Sequence, residues 1–182
     1  MKKLTLFALL VFCCFLGVSC GRKTVPATPH VDPIYEENAI HLQLTADQEL
    51  NLFQNRPHQL SMCLYQLRDP NSFNQLAGDE DGLYKLLECQ RFDPSVATST
   101  RLSIQPGEEL NQSLDRAEGA LYVAVVAGYY TLQRDHIIRL FKIPIVVEKK
   151  GWFIRTEVHK LGQLDIGLLL GPQELQDRGR EQ

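Results

Sequence analysis

The sequence lacks almost every pattern from which catalysis is read. Its five histidines, at 30, 41, 58, 136 and 159, form no HxH or HxxxH pair, so no two of them share one face of a strand or helix in the way a metal site requires. Glycine clusters of the phosphate-binding type are missing, as is a G-x-S-x-G elbow, which removes the usual nucleotide and nucleophile signatures. There is no CxxC, which excludes a dithiol redox or zinc motif. Basic excess is missing too: 19 Lys+Arg stand against 22 Asp+Glu, a net charge of −3. Such a chain offers no nucleic-acid surface and gains little from anionic lipid. Acidic runs at Glu36-Glu37, Asp79-Glu80-Asp81 and Glu108-Glu109 fall beside turns, where carboxylates are solvated more often than catalytic. No enzyme activity, cofactor, metal or small-molecule substrate is therefore expected.

What is present begins with an export signal. Met1-Lys2-Lys3 precedes an apolar run from Leu4 to Leu16, and Gly17-Val18-Ser19-Cys20 closes it. A basic start, a short apolar stretch and small residues before a cysteine read as a lipoprotein signal peptide over 1–19, with Cys20 as the lipidated first residue of the mature chain. The run is short for a spanning helix. An uncleaved helix and ordinary cleavage with Cys20 as a plain thiol are the alternatives, and Gly17 stands where such signals usually place Leu. Acyl chains on Cys20 bury about 0.8 kcal/mol per methylene, enough for stable anchoring. Gly21 follows rather than Asp, which favours the outer membrane over retention at the inner one. Loss of Lys2 and Lys3 leaves the mature chain more acidic still.

Residues 20–37, with Pro26, Pro29 and Pro33 and little hydrophobic periodicity, read as a tether. From Ala39 to Thr45, Ile40, Leu42 and Leu44 alternate with His41, Gln43 and Thr45, a half-buried strand. A long polar stretch, Ala46–Gln59, follows; loops of that length in compact domains are usually functional. Leu60–Leu67 is apolar on both faces apart from Ser61 and Gln66, so it needs cover beyond a partner sheet. Helices over Asn71–Ala77 and Gly82–Glu88, the second capped by Asp81, are the expected cover, an insertion around 70–90. Strands are expected at Thr98–Ile104, Glu109–Leu114, Ala120–Tyr130, Ile137–Val147, Trp152–Val158 and Leu164–Leu170, with Pro144 demanding an edge or a bulge. The body then spans 38–175 and 176–182 is a polar tail. So many short strands point to a mainly β fold, a two-sheet sandwich with a short helical insertion. Tyr65, Tyr84, Tyr122, Tyr129 and Tyr130 read as strand and core aromatics rather than a stacking platform. Cys63 and Cys89 are either buried free thiols or a disulfide in an oxidising compartment.

Leu64-Tyr65-Gln66-Leu67-Arg68-Asp69 followed by Phe73 resembles the TssJ family (VasD/SciN-like), the outer-membrane lipoprotein of type VI secretion. The likeness continues in order through Asn38-Ala39-Ile40, Leu50-Asn51, Arg56-Pro57-His58-Gln59-Leu60, Leu102-Ser103-Ile104-Gln105-Pro106-Gly107-Glu108 and Tyr122-Val123-Ala124-Val125-Val126-Ala127-Gly128-Tyr129. Cys63, Cys89 and the charged stretch after 148 depart from it. The resemblance implies a transthyretin-like sandwich on the periplasmic face of the outer membrane, an adaptor that binds the periplasmic domain of a TssM-like inner-membrane protein. The loop implied for that contact matches Ala46, Asp47, Gln48, Glu49, Leu50, Asn51, Leu52, Phe53, Gln54, Asn55 and Arg56, with Leu50, Leu52 and Phe53 as its apolar anchors. Competing readings are a periplasmic ligand-binding or pilotin-like lipoprotein and a periplasmic hydrolase.

Overall fold

Residues 31–150 and 156–178 are described by a computed structural model of the chain. The first strand, β1, runs Glu36–Ala46 and starts on an irregularity. Asn38 takes a positive φ of 51°, and the register shifts between Glu36 and Ile40. Beyond it, Ile40, Leu42 and Leu44 turn inward and are buried, as period-two alternation dictates. β1 pairs antiparallel with β4, Glu109–Arg116, and parallel with β9, Leu164–Leu170. With β10, Leu175–Asp177, these make one sheet in the order β10-β9-β1-β4.

The second sheet has the order β3-β2-β5-β6. Its strands are β2, Leu60–Leu67, β3, Val96–Ile104, β5, Tyr122–Ala127, and β6, Ile138–Lys142. Leu60, Met62, Leu64, Val123 and Val125 face the first sheet and complete the sandwich core with Leu42, Leu44, Ile166 and Leu168. The opposite face of the same strands, Cys63, Tyr65, Ala124 and Val126, is buried under a second cluster with Phe73, Ala77 and Leu86. The doubly apolar pattern of β2 is thus explained by two helices, α1, Asn71–Leu76, and α2, Glu80–Leu87.

The Tyr65 hydroxyl crosses into this layer and donates to the Leu86 carbonyl at 2.5 Å, and burial pushes its pKa up to about 12. Cys63 and Cys89 are joined by a disulfide, with Cα atoms 5.4 Å apart, so of the two readings of these cysteines the structure holds the bonded one. The bond fastens the end of the helical layer to β2. Buried Gln66 links the sheets, donating to the Asp115 carbonyl at 2.8 Å and accepting from the Ala117 amide at 2.7 Å.

Several expectations are corrected. Asp79, not Asp81, caps α2: its carboxylate accepts from the Gly82 amide at 2.8 Å, while Glu80 and Asp81 occupy the first turn, where their charge complements the helix dipole. The single strand expected over Ile137–Val147 is two. Residues Arg134–Ile137 form a short helix, α3, β6 ends at Lys142, and β7, Ile145–Lys150, starts anew in a different sheet. Pro144 has no amide to continue a ladder, and the chain changes sheets there. Among the described residues β7 pairs only with β8, Thr156–Leu161; the expected strand from Trp152 lies outside the described residues up to Arg155. The central strand stops at Ala127 instead of Tyr130; the Gly128 amide still bonds the in-register Ser61 carbonyl at 2.8 Å, and beyond it the chain leaves the sheet.

Both ends of the body also extend further than the sequence suggested. Leu175, fully buried, continues through Asp177 as β10, where a polar tail was expected from 176. Within the expected tether, Pro33 accepts from the Gly119 amide at 2.6 Å and Tyr35 donates to Asp115 at 2.6 Å. Arg116, almost wholly buried, reaches Glu36 at 2.5 Å, the Gly162 carbonyl at 3.1 Å and the Ile34 carbonyl at 3.4 Å. A guanidinium without water must satisfy its donors on protein, and here it does so by pinning Ile34–Glu36 against the β8–β9 turn.

Candidate functional site

At the end of the sandwich where β1 leaves the first sheet, three segments meet: the loop 47–59, the stretch 128–133 after β5, and the β9–β10 turn. Backbone bonds tie the loop at its base. The Asp47 amide donates to the Leu170 carbonyl at 2.9 Å, Gly107 donates to Asp47 at 3.0 Å, and Leu52 donates to Pro172 at 2.8 Å. Leu50 is completely buried and belongs to the sandwich core.

Asn51 is the pivot of this arrangement. It is buried, and its φ of 49° lies in the left-handed region that Asn tolerates better than most residues. Its side chain donates to the Gln59 carbonyl at 3.1 Å and accepts from the Tyr130 amide at 3.0 Å. One amide therefore closes the loop upon itself and joins it to the segment after β5. Further out, Phe53 and Arg56 exchange backbone bonds of 2.9 and 3.0 Å across Gln54 and Asn55, both at positive φ. That is the two-residue turn with a left-handed pair that suits a hairpin.

The tight turn displays an aromatic cluster. Phe53 stacks on Tyr130 with centroids 4.2 Å apart and planes 14° from parallel, and His58 meets Tyr130 edge-on at 5.0 Å. Phe53 is 42% exposed and Tyr130 53%. Offset stacking holds the rings in place without burying them. Beneath them Tyr129 is buried, donates to the Glu174 carbonyl at 2.9 Å, and has its pKa pushed up mainly by that burial. A groove of about 410 Å³ runs from Asn51 and Tyr130 past Gly128 to Leu87 and Tyr84 on α2.

The anchors named from the sequence are sorted by this geometry. Leu50 is spent on the core, Leu52 is half-buried, and Phe53 alone of the three stands out. Tyr84 and Tyr130, read as core aromatics, are exposed instead, which corrects that expectation for both. Tyr130 was not legible as a loop residue because a continuous apolar pattern precedes it; the signal available was Gly128, a residue that weakens strand interiors. Among the described residues no group of three or more His, Cys, Asp or Glu is placed to hold a metal, and no helix is long and apolar enough to cross a membrane. The expected signal peptide and Cys20 lie outside the described residues.

Comparison with known proteins places this geometry. No curated protein matches the sequence. The fold is similar to the T6SS lipoprotein TssJ1 from Pseudomonas aeruginosa, with a TM-score of 0.56 and 19% identity over 82% of this chain and 98% of that chain. Lip from Serratia marcescens, a membrane-bound component of the type VI secretion system, gives a TM-score of 0.54 and 19% identity over 81% of this chain and 99% of that one. A chain from the structure of the T6SS protein TssM C-terminal domain from EAEC gives a TM-score of 0.54 and 15% identity over 76% and 96%. These likenesses concern the fold. Residues 38–159 match the family profile of the type VI secretion lipoproteins VasD, EvfM and TssJ, and the chain belongs to that family.

Proposed function

We propose that this protein is an adaptor of a type VI secretion membrane complex, held at the periplasmic face of the outer membrane by lipid on Cys20 and binding the periplasmic domain of a TssM-like inner-membrane protein through the loop Ala46–Gln59. The observation that carries the reading is the Phe53–Tyr130 stack, two exposed aromatic rings, one on the loop and one on the segment after β5, with the loop's base bonded to Leu170 and Pro172 and joined to Tyr130 through Asn51. Exposed aromatic anchors held rigid before binding are the residues that dominate protein interfaces. Polar side chains around them, Gln54, Asn55, Arg56 and Gln59, supply the adaptable rim. The body's part is mechanical, to present one surface to the partner while the N-terminal segment leads to the anchor.

Pull-down of the TssM-like periplasmic domain by the protein, compared with a Leu52→Asp, Phe53→Asp variant, tests the loop; equal capture by both removes it from the interface. The anchor is tested separately. Metabolic palmitate labelling and sensitivity of processing to globomycin should both disappear in Cys20→Ser, and labelling that persists would move the lipid elsewhere.

A further inference from the structure

We propose that the β7–β8 hairpin is a second membrane contact, which seats on the phospholipid surface to which the Cys20 anchor ties the chain; this inference rests on the lipid-anchor reading above. The hairpin stands outside both four-stranded sheets. Its register pairs Ile145 with Leu161, Val146 with Lys160, Val147 with His159, and Glu148 with Val158. Because successive side chains alternate faces, Val146 and Val158 fall on one face, and Ile145 and Val147 on the other. All four are exposed, Val147 at 48% and Val158 at 37%. A two-stranded ribbon with apolar side chains open to water on both faces is marginal alone, and covering those side chains with a partner or another phase would stabilise it.

The path of the chain selects the bilayer as the occupant. An open groove of about 870 Å³ separates the hairpin from the N-terminal segment, with Ile34, Glu36 and Arg116 on one wall and Val158, His159 and Leu161 on the other. Ile34 is 65% exposed there, which adds to the apolar surface. The segment that leads back to Cys20 therefore leaves the body beside the hairpin. Residues 21–30 are all that separate Cys20 from Val31, and at full extension they span only about 35 Å. That is comparable with the diameter of a body this size, about 30–40 Å, so an anchored chain keeps the hairpin within reach of the headgroups.

Charge does not oppose the contact. The Lys160 ammonium pairs with Glu148, and Lys149 lies 3.9 Å from Glu157, so the acidic side chains of the ribbon are matched. Apolar residues rimmed by lysines suit the boundary between headgroups and acyl chains.

The test reconstitutes the lipidated protein in phosphatidylethanolamine–phosphatidylglycerol vesicles. With the only tryptophan of the sequence removed as Trp152→Phe, an Ile145→Trp substitution at an exposed position of β7 serves as the reporter. On vesicles its emission should shift to shorter wavelength and become quenchable by brominated acyl chains. Val147→Asp with Val158→Asp should abolish both changes, and the milder Val147→Thr with Val158→Thr, which keeps strand-forming side chains, should weaken them. Flotation with the vesicles reads the anchor independently and should stay unchanged in both variants. Equal quenching in wild type and variants overturns the proposal. So does a shift that follows protein density at fixed lipid, which would assign the surface to a second copy of the chain. Loss of flotation in the wild type would instead count against the Cys20 reading.

Discussion

Replacing Asn51 by Ala removes three contributions that can be separated. The side chain gives up two hydrogen bonds, to the Gln59 carbonyl and from the Tyr130 amide. Both freed groups sit on residues open to solvent, so each loss is about 1 kcal/mol net rather than the larger penalty of a sealed orphan. The backbone at φ 49° adds about 1 kcal/mol for a side chain that, unlike Asn, does not visit the left-handed region routinely. The sum for Asn51→Ala is about 3 kcal/mol. Asn51→Gly loses the same bonds without the conformational term and should cost about 2 kcal/mol. Urea unfolding of both variants checks the order. In the native state of either, amide exchange at Tyr130 should speed up, because its acceptor is gone. If Ala and Gly cost the same, or both lie within a few tenths of a kcal/mol of wild type, Asn51 is not the pivot of the loop.

Other perturbations probe the scaffold. Gly82→Ala, usually a gain in a helix, should destabilise by about 3 kcal/mol, since the added Cβ would meet the Leu76 carbonyl oxygen at 1.9 Å; an unchanged thermal midpoint would refute the close contact between α1 and α2. Cys63→Ser with Cys89→Ser releases a bond across a sequence separation of 26 and should lower stability by about 3.5 kcal/mol on the chain-entropy account, read by urea unfolding against the oxidised protein. Tyr35 and Asp115 predict a two-sided pH profile. The hydrogen bond from Tyr35 holds Asp115 below its ordinary 3.8, so that contribution is full above this value and fades as the pH falls beneath it. The same bond raises Tyr35 from 10.0 to about 12, so the contribution also fades as the pH climbs past 10. Tyr35→Phe should flatten the unfolding midpoint at both extremes, and unchanged limbs would count against the pair.

Strands with a regular alternation were legible from the sequence: β2 and β9 match the expected spans, and β1, expected over Ala39–Thr45, runs Glu36–Ala46, longer at both ends. The helical layer was legible through a contradiction, since β2 is apolar on the face that an ordinary sandwich leaves to water. What failed did so where tertiary contacts override local pattern. Pro144 signalled a break, but not that β7 would leave the sheet for a partner of its own. Asp81 was the expected cap because the helix was expected to start at Gly82; it starts two residues earlier, at Glu80, which puts Asp79 at the cap. At the candidate site the loop 47–59 was legible from its length, and Phe53 from its residue type. Tyr130 was not, because stacking on Phe53 brings together positions far apart in the chain, and no local pattern encodes that encounter.

The central claim is that the Phe53–Tyr130 stack is the contact surface for a TssM-like periplasmic domain, and a calorimetric double-mutant cycle on that binding reaction tests it most directly. Phe53→Ala and Tyr130→Ala should each weaken binding by about 2 kcal/mol, roughly 30-fold. The double variant should lose less than the sum, because each ring holds the other in place. Wild-type affinity in all three variants, with unfolding midpoints confirming that each is folded, would contradict the account.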